Sequence, residues 1–323
     1  MCQLSIIVPL VHAPQLFEDT LVSVLENRPA GCEVLVVHPG DYEDPYGLSD
    51  EVRFISVAPT ADGNSMVNAA ARAAAGRILH LLQPGVLAKD GWTDAAMLRF
   101  RDPEMAAVAP LVLDARNHNR VLVAGLRYSP GGRVILQGAG TRFGKAERTL
   151  RDEITGPTRM AAFYRRSAFL ALEGFCPHAG PWLADIDLGL CMRRLGYGCE
   201  LERRSMVTGF EEYITPPLSF LTGRQAEQVF WRHRHHSRGS LSLPAHVAEV
   251  FSAVLTRPHR ASTYTHLVGR LSALFTNSGH RALGQRLHRA SQPCGSPRPS
   301  SQADEEEDQP AWPRSYPSRQ MVA

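Results

Sequence analysis

Arg77-Ile78-Leu79-His80-Leu81-Leu82-Gln83-Pro84-Gly85 carries the decisive pattern: a short apolar run stopped by Pro-Gly. Such a run is too short for a buried helix and fits a parallel strand covered on both faces. The residues before it, Ser65 to Ala75, are Ala-rich and read as a helix that Gly76 ends. Further back, Val52 to Val57 and Glu33-Val34-Leu35-Val36-Val37 read as strands, the second ended by His38-Pro39-Gly40. Gln15 to Asn27 has helical spacing, and Leu4-Ser5-Ile6-Ile7-Val8-Pro9-Leu10 is a first buried strand. Strands spaced by helices imply βαβ units, so the expected class is α/β with a mostly parallel sheet flanked by helices and a Rossmann-like first half.

Downstream of Gly85 the pattern changes. Residues 107–150 look strand-rich, with turns near 129–132 and 138–144, and residues 155–215 are mixed. Residues 219–290 look helical and hold ten arginines against Glu227 and Glu249, a local balance of +8, with eight of the thirteen histidines. Residues 291–323 are rich in Pro and Ser, carry the acidic run Asp304 to Asp308, and are expected to be disordered.

The chain of 323 residues is long enough for one large or two modest domains, and its net charge of +3 selects no partner by itself. Arginine outnumbers lysine 33 to 2, and the six cysteines are scattered without CxxC pairs, as idle thiols in a reducing compartment would be. Neither a basic signal-peptide start nor a run of about 18 apolar residues occurs, so a cytoplasmic protein is expected.

Several pieces in order resemble the family 2 glycosyltransferases of GT-A fold. They are Ser5 to Leu10; Leu21 to Leu25; Val34 to Asp41; Gly63 to Ala70 with Ala75 to Ile78; Thr155 to Met160; Tyr164 to Phe175; and Ala184-Asp185-Ile186-Asp187-Leu188 to Tyr197. The resemblance covers about residues 3–215. It implies a glycosyltransferase domain over 1–215, with a nucleotide-binding half at 1–110 and an acceptor half at 111–215. A basic helical extension at 216–290 and the tail would follow.

That resemblance also implies chemistry. A nucleoside-diphosphate sugar would bind beyond the carboxyl ends of the strands, touching Pro9, Val11, His38, Asp41, Gly63, Asn68 and Gln83. The acceptor would be a glycan, a lipid or another hydroxyl compound, with inversion at the anomeric carbon and no specific nucleic acid involved. Asp185 aligns with the family's general base, with Asp187 beside it in the catalytic motif. The plain alternatives are that Asp185 caps a helix starting near Ile186 and that Asp187 is structural.

A divalent cation, Mn2+ or Mg2+, is implied to neutralise the leaving diphosphate. Its usual Asp-x-Asp ligands are replaced here by Gln83-Pro84-Gly85, and Asp90 and Asp94 are the nearest carboxylates along the chain. Without a metal, arginines could clamp the diphosphate, and Arg232 and Arg234 in the stretch Phe230 to Arg238 are the candidates. His233, His235 and His236 could bind zinc, but the cluster is expected to lack Cys or acidic partners. An inactive binding module of the same fold is the alternative reading. The +8 region adds an expected peripheral contact at the inner membrane face.

Overall fold

The computed structural model describes residues 2–11, 14–40, 42, 44–210, 216–234, 242–256, 258–275 and 280–291. Asp41, His235, His236 and the expected disordered segment from 292 onward lie outside them.

The first half follows the local patterns. Strands β1 (Leu4–Pro9), β2 (Glu33–Pro39), β3 (Arg53–Val57) and β4 (Ile78–Leu82) alternate with helices α1 (Pro14–Asn27) and α2 (Gly63–Ala73). Every residue of β1 and β4 is buried, which is why these runs are apolar apart from Ser5 and His80. Proline opens α1, where its missing N–H costs nothing. Asp62 caps α2 by accepting a 2.8 Å bond from the Ser65 amide.

The second half adds α3 (Asp94–Arg99), β5 (Met105–Asp114), β6 (Val121–Val123), β7 (Leu126–Tyr128), β8 (Val134–Leu136), α4 (Phe143–Thr149), β9 (Ala161–Arg165), α5 (Arg166–Ala171), α6 (Gly180–Arg194) and β10 (Gly198–Gly209). The strand-rich expectation for 107–150 thus holds until 142 and then gives way to α4. The main sheet runs β10-β5-β9-β4-β1-β2-β3. β1–β4, β5 and β10 run in one direction, and β9 alone on this path is antiparallel to both its neighbours, β4 and β5. The reversal matters for the site: it places the start of β9 beside the end of β4, with Leu82 opposite Ala161.

Helix α6 lies against the loop that precedes β9. A Cβ on Gly189 would fall 2.2 Å from the Thr155 carbonyl oxygen, so only glycine permits this approach. The helix begins at Gly180, five residues before Asp185. Asp185 is therefore an interior helix residue, and the capping alternative does not apply.

Four helices complete the described structure: α7 (Phe220–Arg234), α8 (Leu243–Thr256), α9 (Ala261–Ala273) and α10 (His280–Ser291). Pro244 sits in the first turn of α8, and Pro258 lies between α8 and α9. α7 and α9 cross at two glycines: a Cβ on Gly223 or Gly269 would meet the facing carbonyl of His266 or Phe220 at 2.0 Å. Buried Glu227 ties the group together. It accepts from Trp231 at 2.7 Å and pairs with His246 of α8 at 2.9 Å and Arg270 of α9 at 3.0 Å. Residues 1–291 make one compact unit.

Candidate active site

The end of β1 continues through Leu10, whose amide donates to the Val37 carbonyl at 2.7 Å, to Val11. One strand away, the Gln83 amide donates to the Met160 carbonyl at 2.9 Å, and so fixes the residue before it, Arg159, next to the turn after β4. The Arg159 amide donates to Asp185 Oδ2 at 3.2 Å. Its guanidinium donates to Asn64 Oδ1 at 3.2 Å and to the Pro181 carbonyl. A Cβ built on Gly63 would lie 2.9 Å from that guanidinium and 3.5 Å from the Val11 side chain. Val11, Gly63, Arg159 and Asp185 therefore converge beyond the carboxyl ends of the parallel strands, where open α/β sheets bind ligands.

Asp185 is only 4% exposed, and burial pushes its carboxyl up to about 6. The Arg159 amide, the Arg159 charge and the Ile186 amide at 2.7 Å work against that rise without cancelling it. Burial lowers the affinity of Arg159 for its proton, with the Asp185 charge opposing. A guanidinium stays charged under such a shift. The pair is thus a half-suppressed carboxylate beside a fixed cation.

Of the other expected nucleotide contacts, Pro9 closes β1 and Gln83 opens the turn after β4, so both border this cluster. His38 stands at the end of β2 in a nest of rings, 5.3 Å from Tyr42 and 6.3 Å from Phe54, with Nδ1 buried and without a hydrogen-bond partner. Asn68 is a correction. Both its amide atoms clip the Phe175 backbone, Nδ2 to the carbonyl at 2.9 Å and Oδ1 from the amide at 2.8 Å, so it holds a turn instead of a ligand.

Asp187 is also placed otherwise than the catalytic expectation. Two residues beyond Asp185, it faces the far side of α6 and is fully buried. Arg232 donates to its Oδ1, His233 Nε2 donates to the same oxygen at 2.6 Å, and Arg286 of α10 stands 3.9 Å from Oδ2. Burial opposes the charge, but the Arg232 and Arg286 cations and the His233 hydrogen bond hold the carboxyl well below its ordinary value. Arg232, 4% exposed and paired to Asp187, is not turned to a diphosphate. Arg234 lies over the Trp231 ring, 6.0 Å from its centroid.

Neither candidate place fits a divalent cation. At the turn after β4, Gln83 offers an amide whose Nε2 is buried and unpartnered, Gly85 has no side chain, and Val86 is buried and apolar. The Gly85 amide is used by Thr20 Oγ1 at 2.9 Å. Asp90 is exposed on the connection to α3 and Asp94 is exposed as the first residue of that helix. Trp92 between them donates to His80, in the middle of β4, at 2.9 Å, so this connection runs back along the flank of the sheet. Among the described residues, the group with metal-ligand chemistry is Asp187, Cys191 and His233. There Arg232 and Arg286 already balance the carboxylate and would repel a second cation.

Arg159 is the functional candidate that residue patterns missed. Its position, directly before an apolar strand, was visible; that the strand reverses and returns it to the end of β4 was not.

No protein family matches the chain, and no curated protein matches it in sequence. Solved structures do. GalNAc-T7 with UDP, GalNAc and Mn2+ aligns over 71% of this chain at 13% identity with a TM-score of 0.53. This chain spans about half of that one, 48%. A mannosyltransferase, PcManGT from Pyrobaculum calidifontis, in complex with GDP-Man and Mn2+, aligns over 90% of this chain and 86% of its own at 16% identity with a TM-score of 0.50. At these identities the likeness establishes the fold. The chain has the GT-A glycosyltransferase fold, a mostly parallel sheet flanked by helices.

Proposed function

We propose that this chain is a glycosyltransferase of the family 2 kind that moves a sugar from a nucleoside diphosphate to a glycan, lipid or other hydroxyl acceptor. The observation that carries the reading is Asp185, a buried carboxyl raised to about 6, set beside Arg159 at the strand ends. A base with that affinity is largely ionised at neutral pH and still able to take a proton. The acceptor oxygen attacks the anomeric carbon, the bond from that carbon to the diphosphate breaks, and the hydroxyl proton passes to Asp185. The bonding electrons leave with the diphosphate. Its charge is met by Arg159, a role other enzymes give a metal ion. The aromatic nest of His38, Tyr42 and Phe54 would receive the base by stacking.

The test is a transfer assay with UDP-, GDP- and dTDP-sugars against an acceptor panel, with manganese and with chelator. Transfer that survives chelation and falls by a factor of about 10²–10⁴ in Asp185→Asn is the expected result. Unchanged transfer in that variant overturns the assigned base. A second reading, an inactive module that binds a nucleotide or glycan, is favoured by the absence of carboxylates at Gln83-Pro84-Gly85. Nucleotide binding without any transfer would select it.

A further inference from the structure

Helices α8 and α9 expose two apolar rows that the fold leaves uncovered among the described residues. On α8, Leu243, Val247, Phe251 and Leu255 recur every fourth residue and are 38, 46, 63 and 78% exposed. On α9 and just beyond it, Tyr264, Val268, Leu271 and Phe275 share one face, 47 to 91% exposed. This face lies opposite the one that α9 packs on α7 through Thr263, Gly269 and Ala273. Among the described residues, nine of the fourteen large exposed hydrophobic ones lie on these two helices and the two residues after α9. Scattered exposed apolar residues are normal on a protein surface; a concentration of this kind marks a contact.

The inner faces are firmly held, so the rows are presented by a rigid support. His246 stacks on Phe230 at 3.6 Å, and its ring nitrogens bond the Gly131 carbonyl at 2.7 Å and Glu227 at 2.9 Å. The charges are ordered as well. Glu249 is the one acidic residue in the sequence from 242 to 275, and it turns to Arg133 at 3.5 Å. The connection between the helices has the sequence Arg257-Pro258-His259-Arg260, and Arg260 is exposed. With 14 and 13 residues, the helices are too short to cross a bilayer, and no helix among the described residues is long and apolar enough to do so. Apolar side chains on one face with arginine at the edge and little acid suit a helix lying in the headgroup layer.

We propose that α8 and α9 dock the protein on an anionic lipid surface, with the two apolar rows entering the interface and Arg260 meeting the headgroups. The proposal does not depend on the transfer reaction above. It is tested by co-sedimentation of the full chain with vesicles of phosphatidylcholine containing about 30% phosphatidylglycerol, and with phosphatidylcholine alone. Expected are binding to the anionic vesicles that weakens with salt, and at least about a tenfold loss of partitioning in both F251S/L255S and V268S/L271S. R260E should lose a smaller factor. Circular dichroism and sedimentation velocity on each variant confirm the fold and the oligomeric state. Three results would overturn the proposal: no vesicle binding, binding equal on neutral vesicles, or binding retained by both apolar variants. A dimer of the wild-type chain that F251S/L255S dissociates, without vesicle binding, would assign the face to a second copy instead.

Discussion

Asp185 and Asp187 stand two residues apart on one buried helix, and their surroundings drive them in opposite directions. On the sheet side of α6, Asp185 has amide donors and one partly buried guanidinium, and burial wins: its carboxyl rises to about 6. On the far side, Asp187 has the cations Arg232 and Arg286 with a hydrogen bond from His233, and these partners win. Burial alone therefore does not mark a reactive carboxylate. What distinguishes the two sites is whether the compensating charge is complete. A compensated carboxylate holds α6, α7 and α10 together, and an undercompensated one is poised to exchange a proton.

The largest expected effect falls on the structural side. Asp187→Ala leaves Arg232 buried without its counter-ion, and loss of about 3–5 kcal/mol of stability should follow, read as a large drop in Tm. Stability within about 1 kcal/mol of wild type would remove the contrast. Next comes the cation of the other side. Arg159→Met should cut transfer by a factor of about 10²–10³ and weaken diphosphate binding while the melting temperature changes far less. If Arg232→Met proved equally selective for transfer, the assignment of sides would be reversed.

The smallest effect is on pH dependence, and the two aspartates contribute with opposite sign. Asp185 has a folded value raised from 3.8 to about 6, so the native state binds the extra proton between these limits. Stability from it is fully present below about pH 4 and declines as pH rises to about 6, by at most about 3 kcal/mol. Asp187 is lowered, so its contribution is present above about pH 4 and lost as pH falls below that. Melting curves from pH 3 to 8 should therefore differ between wild type and Asp185→Asn mainly between about pH 4 and 6. Transfer by the wild type should fall on acidification with a midpoint near 6. A transfer rate independent of pH from 5 to 8 would contradict a base role for Asp185.

Much of the architecture was legible in local pattern. The short, mostly apolar runs at Leu4 to Pro9 and Ile78 to Leu82 read as buried strands, and the Ala-rich stretch before Gly76 as a crossover helix, and the structure has them so. Asp185 was legible as a candidate base through its resemblance to the family motif, and the lack of carboxylates at Gln83-Pro84-Gly85 was legible directly. Arg232 was misplaced because a basic run gives no sign of which arginine turns inward. The same holds for His233, whose neighbours Asp187 and Cys191 come from a different helix. Asn68 looked like a ligand contact because its partner, Phe175, is 107 residues away.

The sequence by itself determined the alternation of strands and helices, the parallel sheet and the missing carboxylates, because periodicity and residue type are local properties. Only the tertiary structure decided that reversed β9 returns Arg159 to the end of β4 beside Asp185, 26 residues away. It alone set Asp187 against Arg232, 45 residues on, and left the outer faces of α8 and α9 uncovered among the described residues. Charge compensation and exposure depend on which distant segments meet, and that is fixed when the sheet and helices pack.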